Sequence, residues 1–158
     1  FYREDAVFRG KESWGWKEAA LCAAAGFVLS LLATLAVWGL SQAGIQADMS
    51  MAEENLLSGP VWLEAVVLLA ASPFLEEFFF RGILFQRLQE LMSVKAAAVV
   101  SALIFGLYHG NLSQGIYGFF MGLVLAAAME RTQTVKAPAV IHMAANLAGL
   151  LAAAVNLP

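Results

Sequence analysis

The chain has 158 residues, of which 61% are hydrophobic and 13% charged, whereas a soluble domain is about half apolar and about a quarter charged. A chain this short has too little interior to bury so much apolar surface away from water, so lipid is its expected surrounding. Nine basic against 12 acidic residues exclude the basic face of a nucleic-acid-binding protein, and the single cysteine, Cys22, excludes an intramolecular disulfide.

Five apolar stretches account for this composition, and we predict a transmembrane helix in each. They lie near residues 18–40, 61–85, 95–110, 115–130 and 137–157. About 20 residues suffice to cross the hydrocarbon core, and the third and fourth stretches are short for that task. The expected fold is all-α, a polytopic transmembrane helical bundle of about five spans that forms a single membrane domain over residues 1–158. Because the chain begins with Phe1 rather than Met, we interpret it as an N-terminally truncated member of a larger bundle.

The basic residues predict how the chain crosses the membrane. Lys and Arg are enriched in cytoplasmic loops. All nine of these residues lie in or beside alternate segments that connect the five spans, and these segments are on the same side of the membrane. They precede the first stretch, surround the second-to-third connection or lie in the fourth-to-fifth connection: Arg3, Arg9, Lys11 and Lys17; Arg81, Arg87 and Lys95; Arg131 and Lys136. The prediction is a multi-pass cell-membrane protein with a cytoplasmic N-terminus and an extracytoplasmic C-terminus.

Three charged residues lie inside or at the end of the second apolar stretch. An ionisable side chain costs a few kcal/mol or more at the bilayer centre, yet Glu76, Glu77 and Arg81 flank three consecutive phenylalanines. Glu77 and Arg81 are four residues apart and can pair on one helix face, whereas Glu76 points about 100° away. Glu76 is therefore the carboxylate left for chemistry. The alternative is that all three residues face headgroups at the end of the span.

Both histidines of the chain also lie in apolar runs. His109 follows Phe105 by four residues, and Asn146 follows His142 by four, so each pair shares a helix face. A glutamate beside a histidine can activate water as a general base, and a second histidine with an asparagine can donate hydrogen bonds to a developing oxyanion. Glu76, His109 and His142 would equally serve as a metal-ligand set, and the spacing leaves both chemistries open.

These residues resemble three motifs of the CPBP family of intramembrane proteases. The family includes the type II CAAX prenyl endopeptidases and relatives assigned to abortive infection or bacteriocin self-immunity. Its motifs, on successive helices, are Glu-Glu-x-x-x-Arg, Phe-x-x-x-His and His-x-x-x-Asn or Asp. They correspond here to residues 76–81, 105–109 and 142–146. The predicted catalytic core that carries all three runs over residues 60–157.

The resemblance implies an intramembrane endopeptidase in which Glu76 and His109 activate the attacking water. His142 and Asn146 would stabilise the oxyanion, and structural support would come from Glu77, Arg81 and Phe105. No cofactor is required on this interpretation, and zinc, held by Glu76, His109 and His142, is the alternative. The expected partners are the lipid bilayer and a peptide or membrane-protein substrate. Nothing in the sequence dictates recognition of a prenyl group.

Two other functions are compatible with the motifs. The chain could be a bacteriocin-immunity or scaffold protein of the same family with little or no proteolysis, although a scaffold has no need of two buried histidines. It could also be an ion or proton carrier that uses Glu76 and the histidines as a relay. The absence of repeat symmetry gives the carrier little support, since many transporters are built from repeats.

Overall fold

The computed structural model describes residues 14–42, 60–110 and 112–154, and within these ranges it contains five helices and no strand. They are α1 (Trp16–Gln42), α2 (residues 61–91), α3 (Val94–Tyr108), α4 (Leu112–Thr132) and α5 (Lys136–Ala154). The all-α prediction is confirmed. Arg3, Arg9 and Lys11, on which part of the orientation argument rests, lie outside the described residues.

One helix in these ranges is long and apolar enough to cross a membrane. Within α1, Trp16–Ala36 forms a 21-residue apolar span. Helix α3 is apolar as well, but shorter. The polytopic bundle is therefore supported in part, and the count of about five spans stays a prediction.

Helix α2 contains two π-helical interruptions. Its α-helical turns at Val61–Val66, Ser72–Glu77 and Gln86–Leu91 alternate with π-helical stretches at Val67–Ala71 and Phe78–Phe85. The junction residues keep right-handed helical backbone angles, so α2 is one continuous helix that extends beyond the apolar stretch at 61–85. A π-helical turn closes over five residues instead of four and is common at functional sites. The segment that carries both glutamates lies between the two π-helical stretches.

Two layers of buried apolar side chains join α2 to α3, α4 and the region around the start of α5. One layer consists of Phe80, Phe105, Met121, Leu125, Ile141 and Ala145, and the other of Phe85, Ala97, Ala126, Met129 and Val135. Phe105 of α3 and Ile141 of α5 belong to the first layer. His142 follows Ile141 directly, so this packing brings the second and third motifs close together.

Glycines bring helix backbones into direct contact at two crossings. A Cβ atom on Gly26 of α1 would lie 2.1 Å from the carbonyl oxygen of Ile141 in α5. A Cβ on Gly106 of α3 would lie 2.5 Å from the carbonyl oxygen of Gly115 in α4. No side chain fits at these distances, and small residues are what allow helices to approach so closely in a membrane.

Candidate active site

A buried ion network between α2 and α5 forms the centre of the site. Glu77 and Arg81 are fully buried and make the salt bridge predicted from their spacing, with 2.8 Å between Arg81 Nη1 and Glu77 Oε1. His142 Nδ1 donates to the same carboxylate oxygen at 2.9 Å. A carboxylate only accepts hydrogen bonds, so Nδ1 carries the hydrogen. Nε2 is therefore the ring nitrogen of His142 left for chemistry.

Arg81 connects this network to two further helices. Its Nη2 donates to the carbonyl oxygen of Gly122 in α4 at 3.2 Å, and its Cζ lies 4.4 Å from the ring centroid of Phe105 in α3. A Cβ on Gly122 would lie 3.2 Å from Nη2, so the glycine leaves the room that the guanidinium occupies. One buried cation, paired with Glu77 within α2, thus links α2 to α4 through a carbonyl and to α3 through a cation–π contact.

Glu76 lies at the edge of this network, with its side chain 15% exposed. Ser72 Oγ, one turn earlier on α2, donates to Glu76 Oε1 at 2.5 Å. The other oxygen, Oε2, lies 4.0 Å from His142 Nε2. This gap is too long for a direct hydrogen bond, and it is the separation at which one water molecule bridges two polar atoms.

His109 is held at the end of α3. Gly110 adopts a φ of 69°, the left-handed conformation with which glycine commonly ends helices. The ring of His109 folds back along α3, where its Nδ1 donates to the carbonyl oxygen of Phe105 at 2.8 Å. Its centroid lies 4.9 Å from that of Phe105, and the centroid of His142 lies 5.8 Å from that of Phe105. Phe105 is therefore the aromatic ring that both histidines contact.

Asn146 faces α2 one turn after His142. Its Nδ2 donates to the carbonyl oxygen of Leu68 at 3.0 Å, within the first π-helical stretch. An amide nitrogen carries two hydrogens, so this bond leaves one of them for another acceptor.

The structure therefore brings some of the candidate residues into contact and leaves others apart. Glu77, Arg81 and His142 are in direct contact, and Glu76 lies within reach of His142. No hydrogen bond or ion pair joins Glu76 to His109, the pair to which the resemblance assigns water activation, and both residues lie in the described ranges. Sequence analysis missed Ser72, for which the i,i+4 spacing to Glu76 was the usable signal. It also missed the bond between Glu77 and His142, for which the sequence carries no signal.

Whether a zinc ion fits depends on how many potential ligand side chains meet at one point. Catalytic zinc sites have three protein ligands, and the carboxylate-bound Nδ1–H of His142 matches the usual support of a ligating histidine. Only Glu76 and His142 face each other, however, and in the described part of the chain no group of three His, Cys, Asp or Glu residues is placed to hold a metal ion. The residues present do not form a zinc site, and the mechanism below uses water and side chains.

The fold and these contacts define a helical membrane protein with a buried carboxylate–imidazole site. A family model described as type II CAAX prenyl endopeptidase Rce1-like matches residues 58–148. The match covers more than half of the chain, and the chain belongs to this family. The resemblance drawn from the three motifs is thereby confirmed.

A curated relative gives a second, more distant comparison. Over 84 residues the chain is 32% identical to a Bacillus subtilis (strain 168) protein named "Putative membrane peptidase YdiL". The aligned part is 53% of this chain and 34% of that protein, so the chain spans about a third of the relative's length. No solved structure matches the chain.

Proposed function

We propose that the protein is an intramembrane endopeptidase that hydrolyses a peptide bond of a membrane-associated substrate with a water molecule held by Glu76. One observation carries the proposal: Glu76 Oε2 and His142 Nε2 face each other across 4.0 Å. A water about 2.8 Å from each atom would bridge them. As the water oxygen attacks the substrate carbonyl, Glu76 accepts its proton as the general base, and it then gives that proton to the amine nitrogen as the C–N bond breaks.

The surrounding residues have supporting roles in this mechanism. Glu77 fixes the orientation of the His142 ring through Nδ1, in the way that a buried carboxylate orients the histidine of a hydrolase triad. With the ring hydrogen on Nδ1, Nε2 is an acceptor and can take a hydrogen bond from the attacking water. The second N–H of Asn146 can donate to the developing oxyanion. His109 keeps Nε2 free beside Phe105, where it can exchange a proton with the substrate.

The proposed orientation is supported by where the described basic residues lie. A cavity of about 260 Å³ is lined by Trp14 and Glu18 at the start of α1 and by Arg131 and Thr134 at the connection of α4 to α5. The end of α2 lies at the same end of the bundle, because Gln89 Nε2 donates to Glu130 Oε2 of α4 at 2.6 Å.

The basic residues near these helix ends therefore cluster on one side: Lys17, Arg87, Lys95, Arg131 and Lys136. By the positive-inside rule this side is cytoplasmic. We therefore propose a cytoplasmic N-terminus and, for five spans, an extracytoplasmic C-terminus.

The test is cleavage of a fluorogenic peptide library by the detergent-purified protein. Glu76→Gln should lower kcat by about 10²–10⁴-fold, the range for loss of a general base. Glu90→Gln is the matched control, because Glu90 lies on the same helix, exposed and paired with Arg87, and this variant should cleave like the wild type. His142→Ala and His109→Ala show which histidine works with Glu76, and the larger loss is expected for His142.

Four outcomes would contradict the proposal. Full activity in Glu76→Gln would remove the general base on which the mechanism depends. Loss of wild-type activity with a chelator would move the same residues to a metal site. Failure of the wild type to cleave any peptide would favour the immunity or scaffold alternative, and proton flux in proteoliposomes would favour the carrier.

A further inference from the structure

The first π-helical stretch of α2 ends at a position where the backbone lacks a donor. The N–H of Ser72 donates to the carbonyl oxygen of Val67, five residues earlier. In the same register, the next bond would run from residue 73 to the carbonyl oxygen of Leu68. Residue 73 is proline, which has no N–H. Leu68 therefore receives no hydrogen bond from that position, although an unpaired backbone carbonyl is costly inside a membrane protein.

Asn146 supplies a donor at this point. Its Nδ2 lies 3.0 Å from the Leu68 carbonyl oxygen and reaches it from α5, a helix remote in sequence. We propose that the side chain of Asn146 replaces the amide hydrogen that Pro73 lacks and thereby holds the π-helical turn of α2 in place. In this role Asn146 is a positioning residue, in addition to any contact of its second N–H with substrate.

The turn that Asn146 holds leads directly to Glu76. Ser72 closes the turn with its backbone N–H, and its hydroxyl donates to Glu76 Oε1 at 2.5 Å. Asn146 and His142 are one turn apart on α5, so one helix face fixes both the backbone before Glu76 and the ring opposite it. The spacing of the third motif thus couples the two sides of the site.

A double-mutant cycle tests this role without any substrate. The thermal midpoint, Tm, is measured in detergent for the wild type, Asn146→Ala, Pro73→Ala and the double variant. Asn146→Ala leaves the Leu68 carbonyl unpaired and should lower Tm by about 5 °C. Pro73→Ala restores a backbone N–H at position 73 that can bond to Leu68, so in this background the same Asn146→Ala change should lower Tm by less than half as much. Because Tm is measured without any peptide cleavage, the result does not depend on the proposed protease activity.

Pro138 provides the matched control. It lies in the first turn of α5, where a missing N–H leaves no helix carbonyl without a donor. Asn146→Ala should therefore lower Tm as much in the Pro138→Ala background as in the wild type. An equal loss of Tm in the Pro73→Ala background overturns the proposal. If Asn146→Ala is not recovered folded, recovery of the Pro73→Ala double variant supports the proposal, and failure to recover it overturns the proposal.

Discussion

Helices α1 and α2 are both rich in apolar residues, yet the backbone of α1 is regular and that of α2 is not. Helix α1 is a regular α-helix of 27 residues, and only 11% of its membrane-spanning window is buried in the protein. Its backbone groups bond to one another, which is what a lipid-facing helix requires. Helix α2 interrupts that regularity with Pro73 and two π-helical stretches, and it buries Glu77 and Arg81 completely.

The difference shows where irregularity is tolerated in such a bundle. Three polar groups of α2 bond to other helices: Glu77 to His142 and the Leu68 carbonyl to Asn146, both on α5, and Arg81 to the Gly122 carbonyl of α4. The regular backbone of α1 needs no such donors from other helices. We therefore expect substitutions in α2 to act through several helices at once, and substitutions in α1 to act mainly where it touches α5.

The largest effect should come from Arg81→Ala. This change leaves Glu77 buried with only His142 as a partner and removes the contacts to Gly122 and Phe105. Breaking a buried ion pair by removing one partner costs about 3–5 kcal/mol. We expect a large loss of stability in detergent and no measurable peptidase activity, checked by thermal unfolding and by the peptide cleavage assay.

Arg87→Ala is the control for this change. Arg87 lies on the same helix and pairs with Glu90 at 2.9 Å, but both side chains are 48% exposed. Exposed pairs contribute about 0–1 kcal/mol, so this variant should unfold close to the wild type. Similar losses in the two variants would show that the buried network does not hold α2 to its neighbours.

An intermediate effect is expected where α1 meets α5. Gly26→Ala places a Cβ 2.1 Å from the Ile141 carbonyl oxygen, a backbone atom that cannot rotate away, so the two helices must separate. Overpacking of this kind costs about 1–3 kcal/mol. Because His142 follows Ile141, kcat should fall as well, which steady-state cleavage would measure alongside Tm.

Gly39→Ala gives the comparison within α1 itself. Nothing lies within 4 Å of a Cβ at Gly39, and alanine is favoured over glycine in a helix by about 0.5–1 kcal/mol. This variant should be as stable as the wild type or slightly more so, with unchanged kcat. If Gly26→Ala behaved in the same way, α1 would not position the helix that carries His142.

The parts of this arrangement that the sequence predicts are those encoded within one helix. The Glu77–Arg81 pair follows from the i,i+4 rule, and the helices themselves follow from the apolar stretches. The bond from His142 to Glu77 crosses 65 residues, and no periodicity encodes it. The π-helical stretches were also beyond prediction, since apolar patterning does not distinguish an α-helical from a π-helical register. The bond from Asn146 to the Leu68 carbonyl crosses 78 residues, and no sequence pattern encodes it either.

The smallest effect is expected for Ser72→Ala, which should change the position of Glu76 without changing the stability of the fold. Ser72→Ala removes one hydrogen bond to Glu76 Oε1, worth about 1 kcal/mol, and leaves the buried network intact. We expect kcat to fall about 3–10-fold, with KM and Tm nearly unchanged, because the Glu76 carboxylate loses its orientation but is still present.

Thr34→Val in α1 is the matched control, because Thr34 Oγ1 donates to the Ser30 carbonyl oxygen at 3.1 Å and touches no candidate site residue. Unchanged kcat in both variants would mean that Glu76 does not depend on Ser72 for its position. A lowered kcat only in Ser72→Ala would place the functional constraint in the irregular helix and not in the regular one.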